Sequence, residues 1–462
     1  MEEYASGSIA DPISADAKTE NRFFAGFGEG DISPTESVPL QGFGDSSLRM
    51  STEVLGRLYS RCLAVRDDQG STALLISVDN AAVDFDVCQE IRDEIEAKVG
   101  VPASNTIVSA IHEHSTPDYD HPKVPSTKRY RTLFINATVQ AAVNAIEDLA
   151  PAEMYINSVE TEGLNFVRNY ICNDGTCAGP NYGSFASGAK DHESKADAIL
   201  QLVKFARSGK KDIIVSNFQL HPYIGTTSKS TVAHSDCVGV YRDALADKLN
   251  CHVVYFSGAG GNVEPFTRIK TEHPAKTMWE HGEKLADYAV SAEGNYVKVN
   301  TGRVRTMVCE NTYHTDKSRD ALYDRAVDFM KIWNEQGQKA AQAALPNYPE
   351  FHSIYHAKYV VIKHDLPETR SLPLSAVSFG DVAFTGVPVE MFDTNGQEIK
   401  SGSPFKMTIV TTLTNGWDGY IPSRLGFDNG GYSTDITRYA PGTGEKIVQD
   451  LISMLTQIHD AD

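Results

Sequence analysis

Apolar β-branched runs alternate with amphipathic helical ones along nearly the whole chain, and this alternation points to the α/β class, in which helices pack on a sheet. Val87, Ile91, Ile95 and Val99 recur every four residues and Gly100 follows, which predicts a helix with a glycine stop. Residues 106–111 are then a strand, and Leu133, Ala137, Ala141, Ile146 and Leu149 mark a second helix. Apolar runs at 198–205 and 213–218, separated by the turn Ser208-Gly-Lys-Lys211, predict two more strands. Asp236 is expected to cap a helix to Leu249, 252–256 is a strand, and longer helices are expected over 278–292 and 317–344. Strands return at 374–379, 382–386 and 406–413. No Pro/Gly-rich linker and no internal repeat divides this stretch, so a single domain is expected over 21–462. Residues 1–20, polar and without periodicity, are expected to be a disordered tail.

At 462 residues with 41% apolar and 22% charged side chains, the chain has the composition of an ordinary soluble globular protein. Its formal charge of -19 argues against nucleic acid or an anionic membrane surface as partner. No apolar run approaches the roughly 20 residues of a membrane span, and no apolar signal core opens the sequence. The seven cysteines include no C-x-x-C pair, which suits a reducing compartment. The chain therefore reads as cytoplasmic, although a removed signal peptide would leave the same sequence. Cys172 and Cys177 are expected to be free thiols in a polar loop rather than a disulfide.

Five predicted strands end in groups that can bind metal or move protons, the position where open α/β folds place their sites. The strand at 106–111 runs into His112-Glu-His114-Ser-Thr-Pro117; alternate residues of an extended segment share a face, so both imidazoles are expected to point into one cavity. The others lead to His221-Pro222, to the loop 258–265 with Glu264, to Gly386-Val-Pro-Val-Glu390, and to Asn415-Gly-Trp-Asp-Gly-Tyr420. Taken singly, each fits a structural role as well: His221 as a buried ring bonded to backbone, Glu390 as a helix N-terminal carboxylate, Tyr420 as a packing aromatic.

Together these segments resemble the N-terminal catalytic domain of the neutral/alkaline non-lysosomal ceramidase family. Gly26-Phe-Gly28-Glu-Gly-Asp31-Ile-Ser-Pro34 with Val38-Pro-Leu-Gln-Gly42-Phe-Gly44 is similar to the family's opening, and Arg57-Leu-Tyr-Ser-Arg61 and Ile76-Ser-Val-Asp79 also fit. His112-Glu-His114-Ser-Thr-Pro corresponds to the family's Thr-His-Thr-His-Ser-Gly-Pro, Asn217-Phe-Gln-Leu-His221-Pro to its later His-Pro, and Asn165-Phe-Val-Arg168 to its Asn-Arg segment at altered spacing. Ser235-Asp236-x-x-Gly239, Gly386-Val-Pro-x-Glu390 with Gly396, and Asn415 to Tyr420 follow, with Trp417 in place of a family tyrosine. The resemblance covers about residues 23–455. It implies a single layered domain whose mixed sheet is flanked by helices, and a Zn2+ cofactor held by His112, His221, Glu390 and Tyr420. Two imidazoles and a carboxylate leave room for a water, so such a site can activate it. His114 is placed to bind that water or a developing oxyanion, and Arg168 to hold a substrate carbonyl or carboxylate.

The chain departs from the family at one important position. Ceramidases carry Gly-Asp-x-Ser-Pro where Gly261-Asn262-Val-Glu264-Pro265 stands here, so Glu264 replaces the serine implicated in catalysis. Glu264 is expected to be a general base, before a clamp for a cationic amine or a further metal ligand. The ceramidases also continue into a C-terminal β-sandwich beyond the segment matched here. The expectation is a zinc-dependent hydrolase cleaving an amide, or else an ester, of a soluble small molecule. His114, Glu264 and Arg168 would be catalytic, and Arg168, Asn262 and Asn415 would contact substrate. No stable membrane association is expected, and self-association into a homo-oligomer is left open. The alternatives are a non-catalytic ligand- or metal-binding homologue and a ceramidase acting without the serine.

Overall fold

The computed structural model describes residues 23–461, so the tail expected over 1–20 lies outside the described residues. Two mixed sheets stack face to face. The larger has nine strands and runs in the order His252–Ser257, Ile213–Phe218, Ile199–Arg207, Ala150–Glu160, Phe24–Asp31, Tyr59–Arg66, Thr72–Val78, Thr106–Ala110, with Val297–Val299 added beside Ala150–Glu160. The smaller has four: Val304–His314, Thr369–Phe379, Val382–Gly386 and Met407–Thr411.

Alternation along each strand builds the layers. Leu63, Val65 and Leu75 of the large sheet meet Val377, Phe379, Phe384 and Ile409 of the small one in a shared apolar core. The intervening residues Ala64, Leu74 and Ile76 face the helices Phe85–Val99 and Ser126–Glu147. Ile214, Val253 and Tyr255 face Asp236–Leu249 and Met278–Ser291, and the outer face of the small sheet is covered by Asp393–Gly402 and Thr443–Asp460. The predicted class and layered architecture hold. Gly26 and Gly28 are needed where the long helix crosses the sheet, because a Cβ at either would stand 2.1 Å from a helix carbonyl oxygen. Among the described residues no helix is long and apolar enough to cross a membrane.

Several expected elements change form. The helix predicted over 317–344 is split into Asp320–Leu322, Tyr323–Gln336 and Gln338–Ala344, because Gly337 adopts φ 87 and breaks the ladder. Asp236 is not a simple cap. It sits at φ 47 and its carboxylate accepts the backbone N–H groups of Ile224, Gly225 and Cys237. The strand before the histidines stops at Ala110, one residue earlier than expected, and His112 turns into the left-handed region at φ 66.

Three parallel pairs orient the site. Thr72–Val78 lies parallel to Thr106–Ala110, Ile213–Phe218 to His252–Ser257, and Val382–Gly386 to Met407–Thr411. The two sheets are joined where these pairs end: Ser109 bridges Thr414 and Thr412 N donates to Ser257 O, while Ser257 Oγ donates to Ile111 O at 2.7 Å and ties two strand ends of the larger sheet. Beside this seam, Asp79 and Arg242 form a buried bidentate pair with both bonds at 2.6 Å. Removing one member strands the other charge in the interior. Asp79→Ala is therefore expected to lower unfolding stability by about 3–5 kcal/mol, read as a fall in the urea midpoint at unchanged m-value.

Candidate metal centre and active site

Each ligand candidate leaves a strand of the seam on a turn that aims it inward. After Thr106–Ala110, His112 N donates to Asn80 O, and its positive φ swings the ring toward the Asn80–Ala81 turn, where Nδ1 lies 2.7 Å from Ala81 O. The two histidines thus converge through a left-handed turn, not through the alternation of an extended strand as the sequence suggested. His221 follows Ile213–Phe218, with Nδ1 2.5 Å from Gly260 O. Glu390 lies in a two-residue strand parallel to Tyr420–Ile421 and not at a helix N-terminus; the helix begins three residues later at Asp393.

A carbonyl oxygen only accepts, so Nδ1 of His112 and of His221 must each carry the proton it shares. Both Nε2 atoms face Glu390 Oε2, at 3.1 Å from His112 and 3.2 Å from His221. Burial pushes His221 down to about 3, so its ring is neutral and its Nε2 presents a lone pair. Burial acts to raise Glu390, but His112 beside it prevails and holds its carboxyl well below the ordinary range. A neutral nitrogen lone pair aimed at a buried carboxylate oxygen is what a cation between them would complement, and the N/O donor set suits zinc.

His114 completes the cluster, with Nε2 3.5 Å from that of His112, and ligand atoms of His112, His114 and His221 all lie within 4.8 Å of one another. Its pKa is held well below the usual value by burial, then by the neighbouring imidazoles, so the ring is neutral. Gly42 packs against it closely enough that a Cβ would stand 2.4 Å from the His114 Cβ. Tyr420 is buried, stacks on His221 at 6.4 Å, and accepts a hydrogen bond from Arg168 Nη2 at 3.1 Å. The same nitrogen lies 2.9 Å from Gly261 O and 3.1 Å from Ser433 Oγ.

Glu264 is not among the groups that converge on the imidazoles. Its Oε2 accepts the Tyr223 hydroxyl at 2.6 Å, and the Tyr223 ring stacks on His114 with centroids 5.2 Å apart. Burial raises the Glu264 pKa against the opposing effects of Tyr223, Arg168, Arg268 and His192. Asn262 and Asn415, expected to contact substrate, both make framework bonds. Asn262 Oδ1 accepts Asp393 N, while Asn415 Oδ1 accepts Val108 N and its amide nitrogen donates to Ser375 Oγ. The polar loop after Arg168 contributes Tyr170–Cys172, Cys177–Ala178 and Ala189–His192 to a small three-stranded sheet, and Cys172 and Cys177 are free thiols.

The sequence reading overlooked three members of the site. Tyr223 stands two residues past His221, a spacing that signalled it. Phe43, beside Gly42, packs edge-on to His114 at 5.2 Å, and Trp417 Nε1 donates to Glu390 Oε1 at 3.0 Å.

The family profile for neutral/alkaline non-lysosomal ceramidases, N-terminal, matches residues 23–267. The fold is similar to that of neutral ceramidase from Pseudomonas aeruginosa, with a TM-score of 0.69 at 15% identity over 96% of this chain and 75% of that one. A ceramidase complexed with C2 gives a TM-score of 0.70 at 15% identity over 96% and 76%. No curated protein matches the sequence. The site geometry predicts that His112→Ala loses zinc that the wild type retains through gel filtration, measured by mass spectrometry; equal zinc in both proteins would remove His112 from the centre.

Proposed function

This chain belongs to the neutral/alkaline non-lysosomal ceramidase family, and from that premise we propose that it is a zinc-dependent amidohydrolase acting on a small, soluble N-acyl substrate. The observation that carries the reading is the convergence of the His112 and His221 Nε2 atoms on Glu390 Oε2, with the far nitrogen of each ring fixed by a backbone carbonyl. His112, His221, Glu390 and Tyr420 would hold the ion. When bound, zinc supplies Lewis acidity and lowers the pKa of a water.

The residues around it divide the remaining work. Arg168 is buried and fixed to Gly261 O, Tyr420 and Ser433, so its charge is preorganised where a substrate carbonyl gains negative charge. Neutral His114 can hydrogen-bond the attacking water or the developing oxyanion. Glu264 stands in place of the family serine and accepts the Tyr223 hydroxyl, so we assign it as the base that takes the proton of the attacking water by way of that hydroxyl and returns it to the leaving nitrogen. Phe43, Tyr223 and Phe266 form an aromatic wall beside His114, which suits a compact apolar acyl or aryl group. The charged groups Arg168, Glu264 and Glu390 close by favour a polar substrate over a long-chain lipid.

Gln in place of Glu264 still accepts the Tyr223 bond but cannot take a proton. Glu264→Gln is therefore expected to keep zinc and substrate binding while kcat falls by roughly 10²–10⁴, measured on short N-acyl amides. A rate equal to wild type would restrict Glu264 to holding Tyr223. The raised pKa also fixes a sign: the active base form is lost as pH falls through a value above that of ordinary glutamate. The wild-type kcat/KM profile should show an acid limb there, and Glu264→Gln should lack it.

A further inference from the structure

Ser433, the partner of Arg168, lies on the short helix Tyr432–Ile436. Asp435, two residues on, is turned about 200° round the helix axis, and there its carboxylate meets two imidazoles that the proposed chemistry does not use. His352 Nδ1 lies 3.1 and 3.0 Å from the two Asp435 oxygens, and His356 Nδ1 lies 3.8 Å from Oδ1. One ligand atom from each of the three falls within 4.8 Å of the others. Tetrahedral zinc, with bonds of about 2.0–2.1 Å, spaces its donors about 3.3 Å apart, so small side-chain rotations suffice to close the set.

The fold presents these groups deliberately. Ser353 Oγ accepts His356 N at 3.1 Å and starts the helix Ile354–Asp365, fixing His356 in its first turn with His352 just ahead of it. The side chains of His356 and Asp435 are 2% and 9% exposed, whereas His352 keeps 40%, giving the cluster a closed back and an open front. Burial drives His356 down to about 4, so it is neutral and able to ligate near neutral pH. An ordinary surface ion pair between His352 and Asp435 would not need a third, buried donor. The existing bond to His356 Nδ1, from His352 N, is long at 3.3 Å.

We propose that His352, His356 and Asp435 form a second site for a zinc-type divalent ion, separate from the His112 centre. Water from the open side would complete the coordination. The ion would tie the helix Ile354–Asp365 to Tyr432–Ile436, and through Ser433 and Tyr432 it would stiffen the wall that carries Arg168 and Tyr420.

Zinc content after gel filtration, measured by mass spectrometry on wild type, His352→Ala, Asp435→Asn and His112→Ala, tests this. The expected result is one equivalent fewer in His352→Ala and in Asp435→Asn than in wild type. The double variant His112→Ala with His352→Ala should lose both. His352 is half-exposed, so its truncation leaves the core intact, and cobalt substitution supplies a second reading: one set of visible ligand-field bands should vanish in His352→Ala. A stoichiometry and a cobalt spectrum unchanged by His352→Ala overturn the proposal. Because the comparison is a difference, its outcome does not depend on whether the His112 centre is filled.

Discussion

The Ser109–Thr414 bridge and the bond from Thr412 N to Ser257 O join the ends of strands from two different sheets, and beside them the bond from Ser257 Oγ to Ile111 O ties two strand ends of the larger one. The candidate site hangs from that join. One sheet delivers His112, His114, His221 and the Glu264 loop, and the other delivers Glu390 and Tyr420. Stacked sheets sit about 10 Å apart, a gap that side chains alone would span only loosely. Where the strands end and are tied by backbone and hydroxyl bonds, turns from both layers approach closely enough for imidazole and carboxylate to touch. Asp79 with Arg242 anchors the turn whose Asn80 and Ala81 carbonyls receive His112.

Orientation within the centre is then a matter of backbone. Ala81 O and Gly260 O each claim one ring nitrogen, so the tautomer of both histidines is decided before any ion arrives. The left-handed conformation of His112 is unusual for a residue with a Cβ. Such strain, at a residue placed by the seam and by Asn80, marks a position selected for where it aims its ring.

The class, the layering and most of the site candidates were legible because each strand end carried a chemically distinctive residue after an apolar run. The resemblance to a family then grouped them, which no spacing rule could do across nearly three hundred residues between His112 and Glu390. The misreadings have physical causes. Gly337 sits inside a continuous helical pattern, and periodicity does not reveal that its φ is positive. The bonds by which Asn262 and Asn415 satisfy the backbone N–H groups of Asp393 and Val108 cross the fold, and local sequence does not reveal them. Glu264 stood out as a substitution, yet its connection to the site runs through Tyr223, a contact made across the fold and invisible to local sequence.

Trp417 occupies one oxygen of Glu390 through its indole N–H, leaving the other oxygen alone toward the imidazoles. A carboxylate engaged in this way offers one full donor and cannot spread symmetrically around a large ion. Calcium, which favours six to eight oxygens and often a bidentate carboxylate, is poorly served by such a pocket. A small ion content with few, short bonds is not. In the zinc centre we propose, the aromatic residue at 417 would thus favour a small ion without touching it.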